Sequence, residues 1–310
     1  MDEPGPRRVN VVPVARLGGP ALFIAFAAST LPFHRETGNL PAILAGALII
    51  VLAGVADDFF GVSAFVKLAA QTAAAALVYM FGVRISYVTN PAETGAMIYL
   101  PAAVSFVVTV VWLVGITNTL NFIDGLDGLA AGVTCIASLT LFLAALERGQ
   151  PDIAYCTMSL TGLSAGFLRW NFYPAKTFMG DSGAMFLGFT LAAIAVEGAF
   201  KSTVGLTFLV PVLVLGIPIF DLWFAVVRRL KNRRPVMTAP DREHVHHRMI
   251  DAGLEHRAAV IIFYCVTLAL GVISLILIRA WGRALFLVAG IAALVPALIL
   301  CGRFMKGRAG

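Results

Sequence analysis

Residues 40–58 read LPAILAGALIIVLAGVADD, an uncharged apolar run of seventeen residues that ends in two aspartates. A helix needs about 20 mostly apolar residues to cross the hydrocarbon core of a bilayer, so this run predicts a membrane-spanning helix. Asp57 and Asp58 follow it directly, and an unpaired carboxylate is costly in hydrocarbon unless it faces water, a metal or a partner. The stretch therefore predicts a span whose end carries polar chemistry at the membrane surface.

The composition of the whole chain is that of a membrane protein. Of its 310 residues, 59% are hydrophobic and 13% are charged, which leaves too little polar surface to cover a soluble globule. We predict an all-α polytopic membrane protein with a single domain over residues 1–310 and no separate soluble catalytic domain. Apolar runs predict about ten transmembrane helices, at about 18–33, 40–56, 64–81, 98–117, 128–146, 153–170, 183–200, 203–227, 258–278 and 284–301.

The charged residues predict the orientation of the chain. With the N-terminus inside, 17 of the 23 lysines and arginines fall on inner segments, which places both termini in the cytoplasm. The net charge of +6 belongs to these loops, and no nucleic-acid partner is expected. Nine of the ten aspartates also fall on the inner side, which indicates a polar site open to the cytoplasm. The predicted cytoplasmic loops cover about 1–17, 57–63, 118–127, 171–182 and 228–257.

The pair Asp57–Asp58 is followed by Lys67 and Gln71 at the start of the next apolar run. Two adjacent carboxylates can hold a divalent cation, accept a proton or shift each other's pKa, and a nearby lysine can offset their charge against phosphate. A solvated helix end explains the pair equally well. The residues alone leave both interpretations open.

The segment between the fourth and fifth runs reads NTLNFIDGLDGLAAG over residues 118–132. Its polar residues recur every three positions, which on a helix keeps them on neighbouring faces. Gly125 and Gly128 let backbone amides approach a ligand closely, as a sugar or nucleobase edge requires. A helix cap explains one polar residue but not four, so the motif predicts a binding site. Its polar residues are Asn118, Asn121, Asp124 and Asp127.

A further motif covers residues 171–183, which read NFYPAKTFMGDSG. Asp181 precedes an apolar run there, so Asp181 or Ser182 could be a helix N-cap. The alternative is a Mg²⁺ ligand beside backbone amides that face phosphate, with Phe178 available to stack on a flat base. Taken alone, these residues favour the cap.

The longest predicted inner loop, 228–257, contains a histidine cluster. Histidines can bind Zn²⁺, but no thiol or carboxylate stands at metalloprotease spacing, so we predict phosphate binding. Asp221, which ends the eighth run, is expected to pair with this loop or with the other acids. The cluster consists of His244, His246, His247 and Arg248.

Together these segments resemble the polyprenyl-phosphate N-acetylhexosamine-1-phosphate transferases, the membrane family that includes WecA-like and MraY-like enzymes. The resemblance extends over nearly the whole chain, and the His-x-His-His-Arg form of the histidine cluster is similar to the WecA-like branch. Five motifs occur in the family's order: Arg16-Leu-Gly-Gly19, Asp57-Asp58 with Lys67 and Gln71, Asn121 to Gly132, Asn171 with Phe178-Met-Gly-Asp181, and His244-x-His246-His247-Arg248.

The resemblance implies an enzyme that transfers a sugar 1-phosphate, GlcNAc 1-phosphate by default, from a UDP-sugar to polyprenyl (undecaprenyl) phosphate and releases UMP. It implies a Mg²⁺ cofactor, with Mn²⁺ as an alternative, and the initiating step of surface-polysaccharide, O-antigen or wall-polymer synthesis. The expected location is the bacterial cytoplasmic (inner) membrane, with the active site facing the cytoplasm. The expected partners are the UDP-sugar, the lipid phosphate and the bilayer, with a homodimer left open.

The resemblance also implies roles for individual residues. Asp181 would ligate Mg²⁺ on the pyrophosphate, while Asp57 and Asp58 would orient or deprotonate the lipid phosphate and help hold the metal. Lys67 would lie near the lipid phosphate. The uridine would be bound by Asn121, Asp124, Asp127 and Phe178, with Asn118 and Asn171 as further binding residues, and phosphate or sugar would be held by His244, His246, His247 and Arg248.

Two features depart from the WecA-like pattern. Those enzymes carry a span before the Arg-Leu-Gly-Gly segment, whereas this sequence starts close to that segment, and Asn10 and Ala15 stand where a His and a Pro are expected. We expect either a start codon placed too late, so that the complete protein has eleven spans and an outer N-terminus, or a member that lost its first helix.

Two alternative functions stay open at this point. Another UDP-N-acetylhexosamine, such as a 6-deoxy sugar, is a competing donor for the same reaction. A cation-coupled membrane transporter would also gather acids within a membrane, although that class predicts broken helices near the middle of the bilayer rather than acids at inner helix ends.

Overall fold

The computed structural model describes residues 18–33, 38–89, 97–200, 209–231, 245–278 and a few positions between 280 and 288, and most of them are helical. A short 3₁₀ turn follows the first helix, and two three-residue strands pair antiparallel between the third and fourth helices. The elements are α1 (Gly18–Thr30), α2 (Leu40–Phe60), α3 (Ala64–Met80), β1 (Tyr87–Thr89), β2 (Met97–Tyr99), α4 (Ala102–Ile123), α5 (Leu129–Glu147), α6 (Pro151–Asn171), α7 (Gly180–Phe200), α8 (Leu209–Val214), α9 (Gly216–Lys231), α10 (Val245–Asp251) and α11 (His256–Leu277).

Five of the described helices are long and apolar enough to cross a membrane, namely α2, α4, α5, α7 and α11. Two shorter apolar helices cover Gly18–Phe33 and Ala64–Met80. The chain is an all-α integral membrane protein, which confirms the predicted fold class. The number of ten spans stays a prediction, and the last predicted span, 284–301, lies almost entirely outside the described residues.

The eighth predicted span differs from the structure. The sequence predicts one helix over 203–227, but the described part of this range contains two helices, α8 and α9, separated at Leu215. The break has a local cause, since Pro218 has no backbone N–H for the carbonyl of residue 214 and Gly216 is a weak helix former. One side of α9 exposes large apolar side chains, which are Phe220, Trp223, Phe224, Val227 and Leu230.

The fourth predicted span is displaced along the chain. The sequence predicts a helix over 98–117, whereas Met97–Tyr99 form β2 and α4 runs from Ala102 to Ile123. Strands of three residues are too short for an alternating pattern to reveal them. As a consequence, Asn118 and Asn121 lie in the last turns of a helix and not in a loop.

α7 occupies the centre of the bundle. Helices α1, α2, α4, α5 and α6 all pack against it, and its apolar stretch is buried along its whole length. Phe186 of α7 is fully buried, and Phe23 and Phe26 of α1 contact its ring edge-on at centroid distances of 5.9 and 6.0 Å. Because protein encloses α7, the surrounding helices set its position.

Two glycines allow α1 and α2 to reach the beginning of α7. A Cβ atom on Gly54 of α2 would lie 2.3 Å from the Cα of Ser182, and one on Gly19 of α1 would lie 2.2 Å from the Ser182 Oγ. The amide of Gly19 also donates to the carbonyl of Met179 at 3.1 Å. Three helices therefore meet almost backbone to backbone beside Asp181.

The polar motifs lie at one end of the bundle. α2, α4 and α6 end there, and α3, α5 and α7 begin there, so residues far apart in the sequence approach one another. The opposite end contains the β1–β2 pair and a hydrogen bond of 2.9 Å from Asn39 Nδ2 to Glu197 Oε2. The alternation of helix direction thus separates a polar end rich in aspartates from the end that contains the strands.

Replacing Gly54 by alanine tests the close approach of α2 to α7. We expect Gly54→Ala to destabilise the purified protein by about 1–3 kcal/mol, because the added methyl group must displace the Ser182 backbone. Thermal unfolding in detergent measures the change. Gly162→Ala in α6 is the matched control, since a Cβ there meets nothing within 4 Å. Equal melting temperatures for the two variants would contradict the contact.

Candidate active site

An ammonium group bridges two carboxylates at the polar end of the bundle. Lys67 Nζ, in the first turn of α3, donates to Asp57 Oδ2 at 3.0 Å and to Asp181 Oδ2 at 2.9 Å. Asn121 Nδ2, near the end of α4, donates to the same Asp181 oxygen at 3.2 Å. Four helices each supply one member of this group, which we call the carboxylate cluster (Asp57, Lys67, Asn121 and Asp181).

The carboxylate cluster is partly open to solvent. The side chains of Lys67, Asp57 and Asp181 are 24%, 15% and 33% exposed. With both carboxylates ionised and the lysine protonated, the cluster has an excess of negative charge. It can therefore attract a further cation, and its exposed side can admit one.

The donor atoms of the cluster suit Mg²⁺. This ion keeps several waters and is usually held by one or two carboxylates together with substrate phosphates. Asp57 and Asp181 supply two carboxylates, and one oxygen of each already contacts a cation, the Lys67 ammonium. Within the described residues, no three His, Cys, Asp or Glu side chains are grouped to hold a metal by themselves. The fit is therefore to an ion shared between protein and a phosphate ligand.

Asp58 contacts the beginning of α7. Its Oδ1 accepts from the Asp181 amide at 3.0 Å, and its Oδ2 accepts from the Ser182 amide at 3.2 Å and the Ser182 hydroxyl at 2.7 Å. The first amides of a helix lack intrahelical partners, and the helix dipole favours a carboxylate there. A Cβ on Gly180 would lie 2.5 Å from Asp58 Oδ2, so only glycine leaves space for the Asp58 carboxylate there. Asp58 thus caps α7 from α2 and fixes the position of Asp181.

Gln71 and Asn118 form a pair of side-chain amides one helical turn away from Lys67 and Asn121. Asn118 Nδ2 donates to Gln71 Oε1 at 2.6 Å, and Gln71 Nε2 donates to Asn118 Oδ1 at 3.3 Å. Gln71 Nε2 also lies 3.2 Å from the sulfur of Met185 in α7. These contacts join α3, α4 and α7, so Asn118 supports the cluster through packing.

The turn Asp127–Gly128 between α4 and α5 is bound to the connection between α6 and α7. Asp127 Oδ2 accepts from the Ala175 amide at 2.9 Å. The Gly128 amide donates to Asn171 Oδ1 at 3.1 Å, and Asn171 is 2% exposed. Two predicted binding residues, Asp127 and Asn171, therefore hold these two connections together.

The structure describes some of the other predicted site residues but not all of them. Asp124 and Phe178 are half-buried on the two connections, and Arg248 is exposed on α10. His244 lies outside the described residues, as do the side chains of His246 and His247. Phosphate binding by the histidine cluster therefore stays a prediction.

Asp221 connects α9 to the segment that carries the histidine cluster. Its Oδ1 accepts from the amide of Val245, the first residue of α10, at 3.0 Å. Asp221 is buried, whereas Val245 is exposed, so the contact is partly buried. Of the two partners expected for Asp221, the described residues show the 228–257 loop.

Two residues of α11 that no motif in the sequence indicates also join the site. The Asp127 amide donates to His256 Nε2 at 2.9 Å, and the Tyr264 hydroxyl donates to the Gly128 carbonyl at 2.5 Å. A tyrosine within an apolar run needs an acceptor when it is buried, which is a usable signal for Tyr264. No spacing in the sequence relates either residue to the 118–132 motif.

Comparison with known proteins gives the class of the molecule. Residues 40–199, more than half of the chain, match the family model described as Glycosyl transferase family 4. The matched region contains the whole carboxylate cluster and Asp58. The protein is an integral membrane transferase, and the chain belongs to glycosyl transferase family 4.

Named relatives extend the match over most of the chain. A "Probable undecaprenyl-phosphate N-acetylglucosaminyl 1-phosphate transferase" of Bacillus subtilis is 37% identical over 284 residues, which covers 89% of this chain and 77% of that protein. A "Decaprenyl-phosphate N-acetylglucosaminephosphotransferase" of Mycobacterium tuberculosis is 36% identical over an alignment of 331 residues, which covers 95% of this chain and 81% of that protein. A "Phospho-N-acetylmuramoyl-pentapeptide-transferase" of Caldicellulosiruptor bescii is 29% identical over 286 residues, covering 85% and 82%. The family resemblance predicted from the motifs is confirmed.

Removing the Asp58 cap tests its structural role. Asp58→Ala leaves two amides and one hydroxyl at the start of α7 without their acceptor, and we expect a loss of about 1–3 kcal/mol of stability. Asp58→Asn, which keeps one acceptor oxygen, should lose less. Thermal unfolding measures both, with Asp251→Ala, a change at the exposed last residue of α10, as the control. If Asp58→Ala and Asp251→Ala have the same melting temperature, the cap does not stabilise α7.

Proposed function

We propose that this protein transfers N-acetylglucosamine 1-phosphate from UDP-GlcNAc to polyprenyl phosphate, such as undecaprenyl phosphate, and releases UMP. The observation that carries the proposal is the carboxylate cluster, in which the Lys67 ammonium bridges two carboxylates at the ends of membrane helices. Family membership supports it, because two relatives are named as transferases of this sugar phosphate to undecaprenyl or decaprenyl phosphate.

In the proposed reaction, an oxygen of the lipid phosphate attacks the sugar-linked phosphorus of UDP-GlcNAc. The new P–O bond creates a lipid pyrophosphate that carries the sugar. The P–O bond to the other phosphate breaks, and its electron pair leaves with UMP. Since both substrates are polyanions, positioning and charge neutralisation provide most of the catalysis.

Lys67 is assigned to the lipid phosphate. Its ammonium contacts one oxygen each of Asp57 and Asp181, so a phosphate that pairs with Lys67 makes those oxygens available to other ligands. Asp57 then orients the lipid phosphate or accepts its proton. Little activation is needed, because the second ionisation of a phosphate monoester lies at about pH 6.

Mg²⁺ is the proposed cofactor, with Mn²⁺ as an alternative, and Asp181 and Asp57 are its proposed ligands. Bound there, the ion would neutralise charge on the pyrophosphate as UMP departs. Asn121 orients the Asp181 carboxylate through its hydrogen bond of 3.2 Å. Asp58, expected from the resemblance as a further ligand, has both oxygens engaged by α7, so we assign it to positioning Asp181.

The donor is proposed to bind along the 118–132 motif and the α6–α7 connection. Asp124 and the second carboxylate oxygen of Asp127, whose Oδ2 accepts from the Ala175 amide, would hold the uridine, and the half-buried Phe178 would stack on its base. Asn118 and Asn171 contact other parts of the protein, so we assign them to the shape of the site. His244, His246, His247 and Arg248 are proposed to hold phosphate or sugar.

The proposed setting is the bacterial cytoplasmic (inner) membrane, with the carboxylate cluster facing the cytoplasm. Support for this orientation comes from basic residues after the predicted inner ends, including Arg228, Arg229 and Lys231 in the last turn of α9. A UDP-sugar is a soluble cytoplasmic substrate, whereas the acceptor is held in the bilayer. The product would initiate surface-polysaccharide or wall-polymer synthesis.

A direct assay tests this function. We expect UMP release from UDP-GlcNAc that requires polyprenyl phosphate, stops when EDTA removes the divalent cation and returns with added Mg²⁺. Purified protein is assayed with several UDP-sugars, with and without the lipid. Faster release from a 6-deoxy-HexNAc donor would change the assigned sugar. Cation transport by proteoliposomes without any UMP release would show that the protein is a transporter and not this enzyme.

Asp181→Asn tests the metal ligand. We expect UMP release to fall by at least about 100-fold, because the amide is a neutral and weaker ligand for a hard cation. Mn²⁺ binding, followed by electron paramagnetic resonance, should weaken in parallel while the melting temperature stays close to that of wild type. Asp251→Asn is the control for a lost carboxylate on the surface. Retained activity and retained Mn²⁺ binding would remove Asp181 from this role.

A labelling experiment separates direct attack from a covalent route. We expect no label on the protein when UDP-GlcNAc labelled in its sugar-linked phosphate is incubated without lipid acceptor, because the lipid phosphate is itself a sufficient nucleophile. Denaturing electrophoresis and peptide mass spectrometry detect any adduct. A labelled Asp57 or Asp58 would establish an aspartyl-phosphate intermediate.

A further inference from the structure

Helix α11 and the end of α6 hold three backbone groups of the Asp127–Gly128 turn. The Asp127 amide donates to His256 Nε2 at 2.9 Å, and the Gly128 amide donates to Asn171 Oδ1 at 3.1 Å. The Gly128 carbonyl accepts from the Tyr264 hydroxyl at 2.5 Å. We call His256, Tyr264 and Asn171 the turn clamp.

The turn fits closely between the elements that hold it. Gly128 has a φ of +83°, a conformation that favours glycine. A Cβ on Gly132, one turn into α5, would lie 2.1 Å from the ring of Tyr264, so that ring packs directly against the backbone of α5. The geometry of the turn is therefore coupled to the position of α11.

His256 is itself held in one orientation. Its ring lies 4.8 Å from the Tyr173 ring, centroid to centroid, with 31° between the planes. The guanidinium of Arg257 lies 5.2 Å from the centre of the same tyrosine ring. An imidazole nitrogen that accepts from an amide carries no proton, so the contact uses the neutral ring with its proton on Nδ1.

We propose that His256 is a positioning residue for the nucleotide-sugar donor, acting through the Asp127–Gly128 turn, an inference that rests on the proposed function. The turn carries Asp127, which we assign to the uridine, and His256 holds the backbone amide of that same residue. Asp57 and Lys67, assigned to the metal and the lipid phosphate, belong to α2 and α3. Loss of His256 therefore weakens donor binding and spares acceptor binding.

Three variants test this role by steady-state kinetics. His256→Ala removes the acceptor, His256→Gln keeps an acceptor oxygen at similar reach, and Ile262→Ala changes a half-exposed residue of the same helix. We expect His256→Ala to raise KM for UDP-GlcNAc about five-fold or more, with kcat and KM for polyprenyl phosphate within about two-fold of wild type. His256→Gln and Ile262→Ala should behave as wild type. An equal rise of both KM values, or a glutamine variant as impaired as the alanine variant, would overturn the positioning role.

Amide hydrogen exchange tests the clamp without relying on activity. In substrate-free protein, peptides that cover residues 124–130 should exchange about ten-fold faster in His256→Ala than in wild type, because the Asp127 amide loses its acceptor. His256→Gln and Ile262→Ala should keep the protection. Tyr264→Phe removes a single hydroxyl and should also accelerate exchange, so it serves if His256→Ala fails to fold.

The two measurements separate the possible failures. Unchanged exchange in both His256→Ala and Tyr264→Phe would overturn the clamp itself. Accelerated exchange together with a wild-type protein that releases no UMP would support the clamp but overturn the proposed function, and the donor role of His256 with it.

Discussion

The carboxylate of Asp58 accepts hydrogen bonds from the first residues of α7, and the geometry of the polar end depends on this contact. Ser182, in the first turn of α7, is fully buried, so its amide and hydroxyl need a partner from within the protein. Asp58 supplies that partner from α2, and Gly54 and Gly180 leave the space for the two helices to approach. Asp181 is held at the capped end, where Lys67 and Asn121 reach it.

A membrane protein of this kind has few places for polar chemistry. Charged groups are tolerated where helices end, because water and partner charges are available there. The chain reverses direction three times at the same end of this bundle, between α2 and α3, α4 and α5, and α6 and α7. As a result, the carboxylate cluster forms although its four members belong to four helices. The site is therefore assembled at helix ends from residues far apart in the sequence.

The motifs in the sequence identify the region of the site but do not distinguish contacts with a ligand from contacts within the protein. Asp57 and Asp58 are neighbours on one helix, yet one contacts Lys67 and the other caps α7, because successive helical residues point about 100° apart. Asn118 and Asn171 likewise contact protein groups. His256 escapes prediction altogether, since its partner is a backbone amide more than a hundred residues away.

The amino-acid sequence by itself determined the membrane class, the positions of most apolar helices, the family and the helix ends that carry the acids. These features follow from composition, run length and local motifs, which do not depend on how the helices pack. Only the tertiary structure decided that Lys67 joins Asp57 to Asp181, that Asp58 caps α7, and that α11 holds the Asp127–Gly128 turn. The physical reason is that each of these contacts joins groups far apart in the sequence, so it depends on which faces of the helices pack together.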